Sequence, residues 1–97
     1  MTRYVLRPRA RRDIENIWDY TAATWSQSQA EIYIRLIQRT LELLADDPRL
    51  GRAWDEIRAG YRKFRADSHI VFYRIIATSG IEVVRVLHES MDFEQHM

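Results

Sequence analysis

Apolar residues recur along this chain with two periods, and the change from one to the other divides it. Between Pro8 and about Thr24, Ile14, Ile17, Trp18, Thr21 and Trp25 return every three or four positions, while Arg11, Arg12, Glu15 and Asp19 fill the other faces. That spacing predicts an amphipathic helix with one buried stripe. Pro8 suits the first helical position and holds Arg7 extended, so the β-prone run Arg3–Leu6 reads as a strand leading into the helix. Ser26-Gln27-Ser28-Gln29 matches a capping box and opens a second helix. Its stripe is Tyr33, Leu36, Ile37, Thr40, Leu41 and Leu44, broadened by Ile34 and Leu43, and Asp47-Pro48 stops it. The join near Trp25 and Ser26 allows only a sharp turn, which predicts an antiparallel helical hairpin in need of a second layer.

From Tyr61 onward the period is two. Strands are expected at 61–66, 69–77 and 81–88, joined by Ala66-Asp67-Ser68 and Thr78-Ser79-Gly80, both short enough for antiparallel hairpins. Ile70 to Ile76 is apolar on both faces except at Arg74, as a central strand should be. Together with the N-terminal strand these make a small antiparallel β-sheet. The two-helix antiparallel hairpin covers one face and leaves the other partly open, an α+β fold in two layers. Arg49 to Gly60 has no clean period and reads as a connecting loop over the surface.

A chain of 97 residues is expected to form a single domain, spanning 1–97, around one core. The absence of cysteine removes disulfides, thiolate metal sites and cysteine nucleophiles, and fits a reducing cytoplasm. The first residues lack the apolar run of a signal peptide, and no stretch reaches the roughly 18 to 20 apolar residues needed to cross a bilayer. A soluble, cytoplasmic protein with no membrane partner is therefore expected. Net charge is only +1, from 15 basic and 14 acidic residues, yet the arginines cluster. Arg3, Arg7, Arg9, Arg11 and Arg12 crowd the start, and Arg49, Arg52, Arg58, Arg62, Lys63 and Arg65 crowd one middle segment. Guanidinium forks suit carboxylates and phosphates, so an acidic protein segment and a nucleic acid are both candidate partners.

His69 and His88, at opposite ends of two adjacent predicted strands, are the candidate acid–base residues. Neither has metal-ligand spacing, and no glycine-rich phosphate loop or nucleophile elbow is present, so no metal or cofactor is expected. In the strand 61–66, alternation puts Lys63 and Arg65 on one face with Tyr61, opposite Phe64. That basic and aromatic face fits RNA through stacking and phosphate contacts, or an acidic peptide. Trp54, in an arginine-flanked loop, either plugs the edge of the domain or anchors an interface.

Read in order, the motifs form a series. It runs Ala10-x-x-Asp13-Ile14-x-x-Ile17-Trp18-x-Tyr20, Gln29-Ala30-x-x-Tyr33, Pro48-x-x-Gly51-Arg52 and Ile57-Arg58-x-Gly60-Tyr61-Arg62. It continues with Ser68-His69-x-x-Phe72-Tyr73 and Val84-Arg85-Val86-Leu87-His88-x-x-Met91-Asp92. This series resembles the ParE toxins of bacterial type II toxin–antitoxin pairs, within the RelE/ParE superfamily, over almost the whole chain. The resemblance implies a toxin that inhibits DNA gyrase without turning over a substrate and is neutralised by a ParD-like antitoxin. Such antitoxins are ribbon-helix-helix DNA-binding proteins whose C-terminal segment wraps the toxin, which leaves sequence-specific DNA binding to the antitoxin. The basic and apolar surface here would then meet an acidic, amphipathic partner. Trp54, Arg58, Arg62, Lys63, Arg65, Arg85, His88, Met91 and Asp92 are the candidate antitoxin- or target-binding residues. The superfamily's other branch, the RelE-like ribosome-dependent mRNA endoribonucleases, shares the fold. That branch commonly has an arginine in the central strand, where this chain has Ile70 and Val71, and an aromatic or histidine pair near the end, where Glu89 follows His88. A nuclease site here would reduce to Arg85 and His88.

Overall fold

The computed structural model describes residues 4–56, 58–76 and 80–91. In chain order the elements are β1 (Tyr4–Leu6), α1 (Pro8–Thr24), α2 (Gln27–Asp46), β2 (Arg52–Ala53), β3 (Tyr61–Ala66), β4 (His69–Ile75) and β5 (Ile81–His88). Pro8 stands at the start of α1 behind an extended Arg7. The Ser26 hydroxyl accepts from the Gln29 backbone at 3.0 Å, so the predicted cap fixes the start of α2. The helices pack on each other and on one face of the sheet. There Ile17, Ile37, Leu41 and Leu44 bury themselves against Val71, Tyr73, Val83 and Val86.

The sheet has the order β1-β5-β4-β3-β2, which puts β4 at its centre as its two-sided apolar sequence requires. In two places it differs from the expected sheet. β1 joins the edge parallel to β5, pairing Tyr4 with Ile81 and Leu6 with Val83, so the sheet is mixed. The helical hairpin carries the chain away from β1 and brings it back at the opposite edge of the sheet, in β2. The last strand then lies alongside the first, held by the Arg7 backbone donating to Val83 and by the Arg7–Glu82 ion pair. Second, the stretch read as a loop contributes β2, whose two residues pair with Arg62 and Lys63, too few to show any period. The turn expected at Thr78-Ser79 lies outside the described residues, as does residue 77 at the predicted end of β4. The turn at Asp67-Ser68 forms as predicted, with Asp67 taking the left-handed backbone (φ 56°) that Asp tolerates.

The face away from the helices is not bare. Tyr61, Phe72, Val84 and Leu87 form a second buried cluster with Trp54 and Ile70 packed against it. Strict alternation along β5 cannot supply both clusters, since it would put Val84 and Val86 on one face. A β-bulge resolves this: the register steps from Phe72↔Arg85 to Tyr73↔Val83 and leaves Val84 as the extra residue. Val83 and Val86 then face the helices, while Val84 and Leu87 face away. The bulge sends Arg85 toward α1, where Asp13 Oδ2 accepts from its Nε at 2.7 Å and Asp13 Oδ1 from its Nη2 at 2.8 Å. Asp13 Oδ2 also accepts from the Val86 backbone at 2.9 Å. One carboxylate thus satisfies a strand N–H and a half-buried guanidinium, whose pKa is pushed up by that hydrogen bond.

A second set of bonds closes the other end. The Tyr73 hydroxyl, on a fully buried ring, donates to Pro48 O at 2.7 Å and accepts from the Gly51 backbone at 2.9 Å. Arg62 Nε donates to Gly51 O and its Nη2 to Arg49 O, so this guanidinium ties the 49–51 segment to β3. Gly51 has no room for a side chain: a Cβ would collide with the Tyr73 hydroxyl and come within 2.9 Å of Lys63 O.

Two stability predictions follow from these contacts. Asp13→Ala strands the Arg85 charge and should cost about 3 kcal/mol in urea unfolding. Asp13→Leu combined with Arg85→Met should recover part of that loss, because no charge remains buried. Gly51→Ala should destabilise by about 1 to 3 kcal/mol through overpacking, and adding Tyr73→Phe should not restore stability, because the Tyr73 ring carbon and Lys63 O still lie within 3.0 Å of the new Cβ.

Candidate functional site: an apolar groove and a basic face

The predicted site residues fall on two surfaces. Arg85, His88 and Met91 line a groove of about 910 Å³ between the C-terminal half of α1, the start of α2 and the ends of β4 and β5. Trp54, Arg58, Lys63 and Arg65 belong to the other side of the sheet. Asp92 lies outside the described residues. Arg62 faces neither surface as a free cation, since its guanidinium is engaged by carbonyls of the 49–51 segment.

Ile17 and Val86 supply apolar lining of the groove, and Tyr20, Trp25 and Met91 stand at its rim. Tyr20 is 69% exposed and Trp25 74% exposed. Trp25 belongs to the stripe expected to be buried, so its exposure departs from that expectation. Helix α1 ends at Thr24, so Trp25 leaves the helical spiral (φ −116°, ψ −76°) and the three-to-four spacing no longer sets its direction. Uncompensated aromatic exposure of this size at one rim marks a contact surface.

Tyr33 of α2, His69 of β4 and His88 of β5 form a row at the groove's end. His69 and His88 are register partners, with ring centroids 5.3 Å apart and the rings perpendicular. The Tyr33 hydroxyl lies 2.6 Å from His69 Nδ1 and accepts from the Ser68 backbone at 3.2 Å, so α2 is fastened to the β3–β4 turn. The Ser90 backbone donates to His88 Nδ1 at 3.2 Å, which places the proton of the neutral ring on Nε2. Burial pushes the His69 pKa below the usual imidazole value, and the neighbouring His88 adds to this. Burial also raises the Tyr33 phenol. Tyr33 and Asp13 hold the site together, yet their spacing in the sequence marks them only as helix positions. Arg85, the one guanidinium lining the groove among the described residues, is bound by Asp13.

On the far face, Trp54 packs against Phe72 with centroids 5.2 Å apart and carries Lys63 Nζ 4.5 Å above its ring. Arg58 lies over the Tyr61 ring at 5.8 Å. Arg65 forms an ion pair with Glu89. Glu82 receives Arg74 at 2.5 Å and Arg7 at 3.1 Å, and these two bonds, Arg74 first, hold its carboxyl below the ordinary value. No group of three or more metal-ligating side chains occurs among the described residues, and none of their helices is long and apolar enough to cross a membrane.

The depressed His69 pKa fixes a sign. The unfolded chain takes up the proton first, near the ordinary value of 6.5, so the stability gained by burying the neutral ring is complete above that value. It is lost as pH falls toward the lower folded-state value. The melting temperature should therefore drop more between about pH 7.5 and about pH 5.5 in the wild type than in His69→Gln, whose side chain does not titrate.

The sequence model for "ParE toxin of type II toxin-antitoxin system, parDE" matches residues 4–93. "Toxin ParE1" of Mycobacterium tuberculosis strain H37Rv is 48% identical over 96 residues, covering 99% of this chain and 98% of that protein. "Toxin ParE1" of Caulobacter vibrioides is 40% identical over 97 residues, covering 100% and 99%. Among solved structures, "Chromosomal ParDE TA system from P. aeruginosa" superposes with a TM-score of 0.76 over 91% of this chain and 96% of that one. Its identity is 16%, a likeness of fold. The chain belongs to the ParE toxin family of type II toxin–antitoxin systems.

Proposed function

We propose that this toxin acts in the cytoplasm by contact, binding and inhibiting DNA gyrase without turning over a substrate, and that a ParD-like antitoxin neutralises it by laying an apolar segment into the groove. The observation that carries this reading is the groove's chemistry. Its rim presents exposed Tyr20, Trp25 and Met91, and Asp13 takes up Arg85, the one guanidinium among the described residues that lines the groove. Cleavage of RNA needs cations poised around the phosphate as charge develops. Burial of exposed aromatics needs only a complementary apolar segment. Family membership and the fold shared with a protein of the P. aeruginosa ParDE system support the antitoxin half of the proposal.

Two measurements test it. Purified toxin incubated with gyrase and relaxed plasmid should abolish supercoiling or trap cleavage complexes, and added antitoxin should restore activity. Trp25→Glu should weaken antitoxin binding at least tenfold, about 1.4 kcal/mol or more, with an unchanged melting temperature because the ring is exposed. Unaffected gyrase at large toxin excess would sink the inhibitor reading. Cleavage of messenger on ribosomes, lost in His88→Ala, would put a nuclease in its place.

A further inference from the structure

Helix α2 carries an apolar row that its core contacts leave unused. Ala30, Ile37, Leu41 and Leu44 are buried and mark one side of the helix. Ile32, Leu36 and Leu43 fall within about 40° of one another on the opposite side, given 3.6 residues per turn. They are 60%, 38% and 49% exposed. Leu36 and Leu43 belong to the stripe expected to be buried. Each precedes a buried residue, Ile37 or Leu44, and one position turns a side chain about 100° round the helix, out to solvent. Single exposed aliphatic residues are ordinary, but three aligned on one helix form a contact surface. Charged residues run along one flank of the row in the order Arg35, Arg39, Glu42, Asp46, with Glu31 farther round. All are exposed, and none belongs to an ion pair among the described residues. The other flank, Gln29 and Thr40, is uncharged, and the Thr40 hydroxyl donates to Leu36 O.

This face is its own complement. When two copies of α2 pack antiparallel about a two-fold axis between Gln38 and Arg39, Leu43 of one copy falls midway between Ile32 and Leu36 of the other. The same register brings Arg35 level with Glu42 of the other copy. A two-fold of this kind keeps the charged flanks on one side, so the basic half of each flank, Arg35 and Arg39, runs beside the acidic half of the other, Glu42 and Asp46. An unrelated apolar helix would need to match the aliphatic row alone. That a single register interleaves the aliphatic residues and also pairs the charges is a property of this helix with itself. We infer that two copies of this chain associate through the outer faces of α2, antiparallel and two-fold symmetric. The contact is weak, because Arg39 meets its own counterpart beside the axis and one helix face buries less than about 1,200 Å² in total. The inference does not rest on the proposed function. Of α2, the groove takes Gln29 and Tyr33 and none of the row.

The test is sedimentation equilibrium of the purified chain, free of antitoxin and gyrase, from about 1 μM to about 1 mM, the span that suits so small an interface. The mass should pass from monomer to dimer within that span. Leu43→Glu sets a carboxylate against Ile32 and Leu36 of the other copy and should raise the dissociation constant at least tenfold, roughly the loss of one anchor. Arg35→Glu turns two attracting pairs into two repelling ones and should weaken association about tenfold. Adding Glu42→Arg to it should return affinity to within about twofold of wild type, because opposite charges again come level. Arg39→Gln, which removes the like charges beside the axis, should tighten the dimer. An unfolding curve for each variant separates lost association from lost structure. The inference is overturned by a chain that stays monomeric at the highest concentration, by a Leu43→Glu variant that dimerises as wild type does, or by a double swap that regains nothing. Weaker association in Arg39→Gln overturns it too. A monomeric chain whose antitoxin affinity falls in Leu43→Glu would also overturn it and give the row to the antitoxin.

Discussion

Much of this structure depends on one carboxylate. Asp13 receives two bonds from the Arg85 guanidinium and one from the Val86 backbone, and each answers a problem created by the β5 bulge. An extra residue in a strand leaves a ladder donor without its partner and turns the neighbouring side chain out of register. Asp13 supplies the missing acceptor and a counter-charge together. Because it sits on the face of α1 directed at the sheet, the same contact sets where α1 lies along β5. The groove's width follows from that placement, since α1 forms one wall and β5 another.

The bulge also explains how a small sheet buries residues on both faces. Val83 and Val86 join the core beneath the helices, while Val84 and Leu87 join Tyr61 and Phe72 on the other side. The two surfaces consequently differ in kind. The helix side opens into an apolar groove with aromatic rims. The other side seals its aromatic residues and presents cations above them. One sheet thus offers an apolar, aromatic-rimmed surface and a charged one without either intruding on the other.

What could be read from the sequence was whatever repeats. The helix stripes around Ile17 and Ile37, the Ser26 cap, the Asp47-Pro48 stop and the two-sided apolar run of β4 each rest on several residues in register, and each element formed. Single-residue events were hidden. The Val84 bulge has no periodic signature, although paired valines beside an arginine are its trace. The direction of β1 depends on where a helical hairpin returns the chain, a long-range fact. Two-residue β2 is below the length at which alternation means anything. For the site, alternation correctly put Lys63 and Arg65 on a face with Tyr61, but the burial that closes those rings to stacking comes from Trp54. Arg62 belongs to the basic run and Arg85 is a candidate binding or nuclease residue, and the sequence shows no partner for either. Carbonyls of the 49–51 segment claim the first and a carboxylate 72 residues away claims the second.

The parallel pairing of β1 with β5 reaches further than its three residues. The strand made first waits for the strand made last, and the Arg7–Glu82 pair beside it spans 75 residues. Closing so long a loop is slow compared with forming the helical hairpin or the β3–β4 turn. A ribosome still short of Ile81 therefore carries a chain whose hairpin has formed but whose sheet is open at the edge and whose groove lacks its β5 wall. The groove is therefore complete only once β5 has been synthesised.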